Sequence, residues 1–421
     1  MLTVILFALL ILFLVLTVPL AISVAFASTI ALLAFNIDGF VAIQRIVTGL
    51  DTYSLMAIPL FMIAGKIMEK GGISQRLVDL ATSLVGSITG GYAIIAVLAS
   101  MFFSAISGSA PATVVAIGAI MVPAMVRAGY DKRFSIALIA ASGTTGVIIP
   151  PSIPFITYGV TAGVSIGELF IAGVLPGLLM GISLIIYSYV ISKIKGYRGG
   201  ERSSLSSFFT NLRRSLWGLL MPLIILGGIY GGLFTPTESG AVACVYGLII
   251  AMFVYKSLKL SDLKQTFNEA GLLSAMVLFI ISTANLMNWI MTTEQVPERV
   301  STMAGGFTGS SVMFLLVVAM MFLLLGTFLE LNASIILLVP ILLPILDQYD
   351  VNLLHFGVIM VVNLSIGLLT PPLGVNLFVA KSLGDVSFNQ IVVSVMPFLT
   401  VLLMNLVLLI LLPRISTILI G

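Results

Sequence analysis

Small residues, polar residues and prolines interrupt four long apolar stretches of this sequence, and its chemistry is expected at these interruptions. Two of the stretches are 91–127 and 312–346, and the other two are 134–162 and 354–382. At the depth of a membrane, unsatisfied backbone groups cost several kcal/mol each unless they line a cavity or bind a ligand. Hydroxyl oxygens and unwound backbone carbonyls are ligands that hard cations such as Na⁺ use in proteins. The interruptions therefore predict buried cation sites.

Two groups of small and oxygen-bearing residues are the candidate Na⁺ ligands, and each group combines residues from two of the interruptions. The first group consists of Ser107, Gly108, Ser109, Ser142, Gly143, Thr145 and Gly146. The second group consists of Gly326, Asn332, Asn363, Gly367 and Thr370. A single glycine or serine in an apolar run is more often explained by close helix packing. Four interruptions that pair with one another favour the ion sites.

The same interruptions offer a site for an anionic substrate, for which Ser107, Ser109, Ser152 and Glu330 are the candidate ligands. The N-terminus of a helix carries a positive partial charge that attracts anions. Half-helices with such ends are expected to start near Ala112, Ser152, Ala333 and Leu373. Glu330 is the one acidic residue predicted at membrane depth. The alternatives for it are substrate binding, cation binding and a structural hydrogen bond.

The composition excludes most other classes of protein. Of the 421 residues, 60% are hydrophobic and 8% are charged, whereas a soluble domain carries about 25% charged residues. A formal net charge of +3 is too small to indicate a nucleic acid as a partner. No P-loop, nucleophile elbow or zinc-protease motif is present in the sequence, so no enzyme is predicted. The sequence predicts an all-α polytopic membrane protein that needs no cofactor beyond Na⁺ as a coupling ion.

Apolar runs of about 20 residues predict the membrane-spanning helices. The full-length candidates are 1–35, 52–68, 168–192, 215–234, 239–255, 268–291 and 388–413. Stretch 1–35 fits either one tilted helix or two short helices that break near Pro19. Stretch 69–88 is amphipathic and predicts an interfacial arm helix, with Lys66 before it interpreted as a snorkelling helix end. The basic stretch 193–214 predicts a cytoplasmic loop.

The interrupted stretches predict two kinds of discontinuous element. Each arm of 91–127 and 312–346 has about 15 residues, or roughly 23 Å, which is shorter than the hydrocarbon core of roughly 30 Å. These stretches therefore predict re-entrant helical hairpins. Stretches 134–162 and 354–382 contain consecutive prolines, which remove backbone donors and disfavour the α conformation of the preceding residue. They predict two broken transmembrane helices.

An internal repeat relates the four discontinuous elements. A shift of 221 positions places Pro150-Pro151 on Pro371-Pro372 without a gap. The same shift places Ile120 on Ile341, Pro123 on Pro344, Gly146 on Gly367, Gly163 on Gly384 and Pro176 on Pro397. The predicted organisation is scaffold helices with a first arm (1–90), the first repeat (91–192), the basic loop (193–214), scaffold helices with a second arm (215–311) and the second repeat (312–413).

The charges beside the two hairpins predict opposite orientations for the repeats. The loop after the first hairpin holds Arg127, Lys132 and Arg133, whereas the loop after the second holds Asp347 and Asp350 and no basic residue. Basic loops lie preferentially in the cytoplasm, so the first loop is expected inside and the second outside. Inverted repeats with discontinuous helices are typical of secondary transporters.

Four ordered motifs carry a family resemblance. They are SGSAPAT at 107–113, GVIIPPS at 146–152, TPTE at 235–238 and LTPPLG at 369–374. Together they resemble the large membrane subunit of tripartite ATP-independent periplasmic (TRAP) transporters, over nearly the whole chain. The resemblance implies a Na⁺-driven importer of organic acids in the bacterial inner membrane, working by an elevator mechanism. It also implies two partners, a small four-helix membrane subunit (Q type) and a periplasmic substrate-binding protein (P type).

The resemblance leaves the substrate and two other interpretations open. Within the family the sequence resembles the sialic-acid branch, so sialic acid is the first expectation and a C4-dicarboxylate the second. A stand-alone Na⁺/carboxylate carrier would need no binding protein. A membrane scaffold or enzyme subunit would not transport at all.

The inverted topology can be tested by cysteine accessibility in a Cys244→Ser background, which removes the one cysteine of the sequence. Single cysteines at Ala128 and Gln348 follow the first and the second hairpin, so a membrane-impermeant maleimide should reach them from opposite faces. We expect Ala128→Cys to be labelled only in inside-out vesicles and Gln348→Cys only in right-side-out vesicles. Labelling of both cysteines from one face would contradict the inverted repeat.

Overall fold

The computed structural model describes residues 2–85, 87–197, 199, 204–304 and 309–420, and helices are the regular elements found among them. The first half contains α1 (Leu2–Val15), α2 (Leu20–Ala34), α3 (Gly39–Thr48), α4 (Ala57–Lys70), α5 (Ile73–Val85), α6 (Gly91–Ser107), α7 (Ala110–Arg127), α8 (Lys132–Thr144), α9 (Ile153–Ala162) and α10 (Ile166–Lys195). The second half contains α11 (Leu205–Tyr230), α12 (Pro236–Ile249), α13 (Leu260–Thr293), α14 (Val296–Ala304), α15 (Ser311–Gly326), α16 (Leu331–Gln348), α17 (Leu353–Gly367), α18 (Val375–Lys381), α19 (Phe388–Leu411) and α20 (Arg414–Thr417). The predicted all-α fold class is confirmed.

Seven of the described helices are long and apolar enough to cross a membrane. They are α7, α10, α11, α12 together with the π-helical turn Ile250–Val254 that continues it, α13, α16 and α19. The helix pair α3 and α4 adds an eighth candidate that is bent by 62°. The chain is therefore a multi-pass membrane protein.

The N-terminal stretch, for which the sequence fits one helix or two, forms two. Helix α1 ends at Val15 and α2 begins at Leu20, directly after Pro19. The helix is interrupted here because Pro19 has extended backbone (ψ 137°) and its ring removes a hydrogen-bond donor. Helix α3 is not among the predicted elements, because its 10 residues are too few for an apolar run of spanning length.

The hairpins break where the sequence places their tips. Only Gly108 and Ser109 separate α6 from α7, and residues 327–330 separate α15 from α16. The second arm of each hairpin is longer than predicted, since α7 and α16 have 18 residues each, or about 27 Å. In α7 the reason is Pro111, which lies in the first helical turn, where a proline is tolerated, so that the helix begins at Ala110.

The basic stretch between the two halves is more helical than predicted. Helix α10 continues to Lys195 and α11 begins at Leu205, so the connection is confined to residues 196–204. Arg213 and Arg214 belong to α11, whereas Arg198 and Arg202 lie outside the described residues.

The internal repeat is visible in the bounds of the helices. Adding 221 to the bounds of α7 gives 331 and 348, which are the bounds of α16, and adding 221 to the first residue of α8 gives the first residue of α17. The bonds Pro150-Pro151 and Pro371-Pro372 are both cis. Asp131 and Asn352, which also differ by 221, cap the first turns of α8 and α17 with their side chains.

Contacts between the repeats are reciprocal, as a two-fold relation requires. Helix α9 of the first repeat packs against α16 of the second, and its counterpart α18 packs against α7. In the same way α8 contacts α19 while α17 contacts α10. The long arms of the broken helices form the centre of this assembly, since every residue of Phe134–Thr144 and of His355–Gly367 is buried.

The remaining long helices form a second layer beside the repeats. Helix α4 packs against α12 and α13, and α2 packs against α1 and α13. An ion pair of 2.8 Å between Lys70 Nζ and Glu269 Oε1 joins α4 to α13. The amphipathic helix α5 leads from this layer into the first hairpin and contacts both α6 and α11. We call α1–α4 and α11–α13 the scaffold.

Candidate functional site

Both hairpin tips and both helix breaks meet at one cavity of about 490 Å³. Among the residues lining it are Ser107, Gly108 and Ser109 from the first tip and Glu330, Leu331 and Asn332 from the second. The breaks contribute Val147, Ile153, Leu368 and Val375, and the scaffold closes the cavity with α4 and α13. The structure therefore brings together residues that lie more than 200 positions apart in the sequence.

The first tip is shaped by a glycine and a serine. Gly108 has φ +59°, a left-handed conformation that glycine adopts without strain, and it ends α6. Ser109 begins α7 as its N-cap, with its Oγ accepting a hydrogen bond from the Ala112 N–H at 3.4 Å. The tip thus presents the N-terminus of α7 and two serine hydroxyls, of Ser107 and Ser109, to the cavity.

A cluster of hydroxyl groups lies directly behind the first tip. The Thr113 hydroxyl is 3.2 Å from the Ser104 hydroxyl and 3.3 Å from the Ser107 hydroxyl, and it donates to the Ser109 carbonyl at 2.8 Å. Gly146 packs onto this cluster, since a Cβ atom there would lie 2.7 Å from Ser104 Oγ. Sequence reasoning missed Ser104 and Thr113. The spacing along the helices could have identified them, because Ser104 precedes Ser107 by three positions and Thr113 follows Ser109 by four. Residues at these spacings lie on the same face of a helix.

The other candidates of the first group lie deeper and make packing contacts. The Ser142 hydroxyl is 3.0 Å from that of Ser100, and the Thr145 hydroxyl donates to the Ser142 carbonyl at 2.7 Å. Gly143 faces α7, because a Cβ atom there would lie 2.4 Å from a methyl carbon of Val114. None of these three candidates is among the lining residues of the cavity.

Ser152, a predicted substrate ligand, is fully buried and caps α9. Its hydroxyl donates to the Val147 carbonyl and accepts from the Phe155 N–H. The cavity wall at this point is formed by the next two residues, Ile153 and Pro154. The structure therefore places Ser152 behind the wall.

The second tip carries a carboxylate in place of a serine. Glu330 is the N-cap of α16, and its carboxylate accepts hydrogen bonds from the Ala333 N–H at 2.9 Å and from the Asn332 amide at 2.8 Å. The Asn332 side-chain oxygen accepts in turn from the Thr157 hydroxyl at 3.1 Å, which joins the second tip to α9 of the first repeat. Glu330 therefore makes the structural hydrogen bonds considered from the sequence, while remaining on the cavity wall.

The second broken helix contains side-chain amide atoms that have no hydrogen-bond partner among the described residues. Within the described part of the chain, the Asn363 Oδ1 and both side-chain polar atoms of Asn376 are buried and make no hydrogen bond. Carbonyl oxygens of Leu368 and Thr370 lie 3.1 and 3.0 Å from the position that a Cβ atom on Gly374 would take. The Leu368 carbonyl accepts a hydrogen bond from the Asn376 backbone N–H at 2.9 Å, which places Asn376 beside these carbonyls. Buried polar groups are rarely left unpaired, so an unpaired amide oxygen at this break fits a bound cation. Sequence reasoning missed Asn376, whose only signal was an amide within an apolar run.

Gly326 and Gly367 of the second group form a backbone contact. A Cβ atom on Gly367 would lie 2.7 Å from the Gly326 Cα atom, and one on Gly326 would lie 3.2 Å from the Gly367 Cα atom, so Gly367 has no room for a side chain and Gly326 is tightly packed. Thr370 donates its hydroxyl to the Ile366 carbonyl at 2.9 Å. The two glycines thus hold the second hairpin against the broken helix, one helical turn after Asn363, whose Nδ2 donates to the Ala319 carbonyl at 2.9 Å and whose Oδ1 is the unpaired atom.

Few charges line the cavity. Lys66 and Glu69 of α4 form an ion pair of 2.8 Å on the scaffold wall, and Glu330 lies on the second tip. Among the described residues, no three His, Cys, Asp or Glu side chains are grouped as a transition-metal site would require. Neutral oxygen ligands and helix ends therefore dominate the site, which suits a monovalent cation and a small anion.

Comparisons with known proteins agree with this architecture. Residues 4–415 match the family described as the DctM component of the tripartite ATP-independent periplasmic transporter. The C4-dicarboxylate TRAP transporter large permease DctM of Pseudomonas aeruginosa is 42% identical over 94% of this chain and 92% of its own length. The sialic acid TRAP transporter large permease SiaM of Vibrio cholerae is 36% identical over 95% of this chain and 94% of its own.

Two further comparisons bear on length and fold. The isethionate TRAP transporter permease DctMQ of Oleidesulfovibrio alaskensis is 46% identical over 93% of this chain, which spans 62% of that protein's length. The crystal structure of the Alcanivorax borkumensis YdaH transporter superposes with a TM-score of 0.66 at 14% identity, covering 88% of both chains, and supports the fold alone. The relatives with assigned names are transporter subunits and not enzymes, and the resemblance seen in the motifs is confirmed. The chain therefore belongs to the DctM component family of TRAP transporters, the large permease subunits of the inner membrane.

Proposed function

We propose that the protein is the large permease of a Na⁺-coupled importer that receives an organic acid from a periplasmic binding protein and releases it into the cytoplasm. The observation that carries the proposal is the convergence of both tips and both breaks on one cavity. Its volume of about 490 Å³ is typical of small-molecule sites, which span about 300–1,000 Å³. The tripartite family supports a small four-helix membrane subunit and the binding protein as partners.

The anionic group of the substrate is proposed to bind at the first tip. The α7 N-terminus and the hydroxyls of Ser107 and Ser109 supply donors there, whereas the Glu330 carboxylate already occupies the N-terminus of α16. A second carboxylate at Glu330 would be repelled, so Glu330 fits better as a helix cap and a source of negative potential for cations. Lys66 on the scaffold wall is already paired with Glu69, so the first tip is the donor-rich part of the cavity.

The comparisons favour a small acid over the sialic acid expected first from the sequence. The relatives named for isethionate and C4-dicarboxylate are 46% and 42% identical to this chain, and the relative named for sialic acid is 36% identical. We therefore propose a small carboxylate or sulfonate as the substrate.

Sodium ions are proposed to bind behind the two tips and to be carried with the substrate. One site uses the hydroxyl cluster of Ser104, Ser107 and Thr113 with Gly146, and the other uses the amides of Asn363 and Asn376 with the carbonyls around Gly374. Each site lies where a helix has ended or unwound, a position at which carbonyl dipoles can coordinate an ion. Bound cations would also offset the charge of the incoming anion.

The cavity geometry supports an elevator mechanism with the site facing inward. Lys66 and Glu69 lie in the last two turns of α4, just before the amphipathic helix α5 and the first hairpin, whose following loop is expected in the cytoplasm. All the proposed ligands belong to the two repeats, while the scaffold supplies only a wall. We propose that the repeats move as one block past the scaffold, with α5 as the connection.

The function can be tested by uptake into proteoliposomes that contain the permease, the small subunit and the binding protein. With isethionate, succinate and N-acetylneuraminate as the panel, we expect an inward Na⁺ gradient to drive uptake of one of the two small acids. Asn376→Leu keeps the side-chain volume and removes the oxygen, so it should raise the Na⁺ concentration for half-maximal uptake about tenfold, as for an ion contact of about 1.5 kcal/mol.

Asn405→Leu is the matched control, because Asn405 is a buried asparagine of α19 whose amide donates to Ser183, outside the site. It should leave the Na⁺ dependence unchanged. An unchanged Na⁺ activation curve in Asn376→Leu would remove this cation site. Equal uptake without the binding protein would instead identify a stand-alone carrier.

Movement of the repeats past the scaffold can be tested by crosslinking in a Cys244→Ser background. A Cβ atom on Gly167 of α10 would lie 3.1 Å from Ile229 of α11, so cysteines at these positions would join a repeat to the scaffold. We expect this crosslink to abolish uptake while the binding protein still docks. A reducing agent should restore uptake.

The control pair for this experiment lies within the block. A Cβ atom on Gly118 of α7 would lie 2.4 Å from Leu383, which follows α18, so cysteines there would join the two repeats to each other. This crosslink should preserve uptake. Full uptake with the Gly167–Ile229 crosslink in place would show that transport proceeds without the block moving past the scaffold.

A further inference from the structure

A second cavity, of about 690 Å³, lies between α5 and α11, away from the transport site. Arg76 and Asp79 of α5 line it together with Arg213, Arg214 and Trp217 of α11. Three arginines face one aspartate there, so the cavity is positively charged. None of its lining residues takes part in the proposed transport chemistry.

The three arginines differ in the contacts that their guanidinium groups make. Arg76 is fixed, because its guanidinium donates to the Gly72 carbonyl at 2.7 Å and lies 3.8 Å from the centre of the Tyr255 ring. Arg213 and Arg214 make no ion pair or side-chain hydrogen bond with any described residue. Two guanidinium groups thus remain available beside a third whose orientation is already set.

The acidic residue of the cavity does not neutralise them. The Asp79 carboxylate accepts a hydrogen bond from the Gln75 amide at 2.8 Å, and its backbone carbonyl accepts from Asn211 at 3.2 Å. The first bond lies within α5, the second joins α5 to α11, and neither involves an arginine. The cavity therefore keeps an excess of positive charge for an external anion.

The depth of the cavity matches the headgroup region of a bilayer. The polar side chains in the first part of α11 lie between Ser206 and Ser215, and the segment from Leu216 to Ile229 is apolar, so the arginines mark the level at which the helix enters the membrane. Trp217, one turn further along, is 42% exposed, as expected for an aromatic residue at the membrane interface. Tyr255 directly follows the π-helical turn Ile250–Val254 that continues α12, and Lys256 comes next.

The basic residues around the cavity place it on the cytoplasmic side. Lys193 and Lys195 end α10, and Lys256 and Lys259 connect α12 to α13. This concentration of lysines is expected on the cytoplasmic face, where the leaflet carries anionic lipids.

We propose that this cavity binds the headgroup of an anionic phospholipid, with Arg213 and Arg214 holding the phosphodiester and Arg76 completing the site. A single guanidinium group can donate two parallel N–H hydrogen bonds to phosphate oxygens. Two neighbouring arginines are therefore well suited to hold a phosphodiester between them. The exposed side of Trp217 would lie along the acyl chains. A headgroup bound there would bridge α5 to α11 and so hold the arm against the scaffold.

The proposal can be tested with the full-length protein in nanodiscs, using a spin-labelled phosphatidylglycerol as the probe and phosphatidylcholine as the host lipid. Arg213→Gln with Arg214→Gln should reduce the relative affinity for the probe by about 30-fold, as expected for two basic contacts at the lipid surface. Lys193→Gln with Lys195→Gln is the matched control, because it removes the same charge from the same face outside the cavity. The control should leave the specific component of binding unchanged.

Three results would overturn the proposal. Equal loss of phosphatidylglycerol binding in both double variants would mean a non-specific charge effect. Displacement of the probe by millimolar inorganic phosphate as effectively as by phosphatidylglycerol would indicate a site for a free anion. Unchanged lipid binding in Arg213→Gln with Arg214→Gln, accompanied by loss of co-purification of the small membrane subunit, would make the cavity a protein interface.

Discussion

The need to satisfy backbone groups inside a membrane is the constraint on which this structure depends. Four helices end or unwind within the buried part of the fold, and each leaves carbonyl or amide groups that lipid cannot satisfy. The fold meets this constraint by bringing all four interruptions together, so that caps, hydroxyls and a shared cavity take the place of helical hydrogen bonds. The atoms that remain unpaired, above all the amide of Asn376, are then available to a ligand.

The two repeats solve this problem with different chemistry. At the first tip the cap is Ser109, backed by the hydroxyl of Thr113, whereas at the second tip it is the carboxylate of Glu330, backed by Asn332. The reciprocal contacts between the repeats keep the tips together despite this difference. A neutral, donor-rich tip and an acidic tip in one cavity provide separate surroundings for an anion and for cations.

Close packing makes the arrangement rigid enough to be carried as a block. Gly326 and Gly367 touch through their backbones, and Gly143 admits the side chain of Val114. Larger residues at these positions would separate the hairpins from the broken helices. These small residues therefore serve close helix packing and, through that packing, hold the candidate ion ligands in position. The packing interpretation and the ion-site interpretation are compatible.

The sequence predicts the discontinuities well because prolines and glycines act locally. The paired prolines at 150–151 and 371–372 fix the breaks, and the SGSAP segment fixes the first tip, whatever the rest of the chain does. The sequence predicts less well which polar atoms remain without a hydrogen bond, because the partners of these atoms are distant in sequence. Thr157 finds Asn332 and Ser152 caps its own helix, whereas the side-chain amide of Asn376 has no hydrogen-bond partner among the described residues.

The lengths of the helices likewise depend partly on local residues and partly on packing against distant parts of the chain. The break at Pro19 depends on one residue, but α3 is too short to be recognised as a span and becomes part of one only through its bent junction with α4. The helical extension of the basic stretch likewise reflects packing of α11 on α5, which composition does not reveal.

The central claim, that the four interruptions form one ion-dependent site, is tested most directly by hydrogen–deuterium exchange of the full-length protein in nanodiscs, with Na⁺ compared against choline. The account predicts that Na⁺ slows exchange in peptides covering 104–113 and 366–376, since a cation would hold the hydroxyl cluster and the second break closed, while peptides of α11 keep their rates. Identical exchange in both salts at both interruptions would contradict the account.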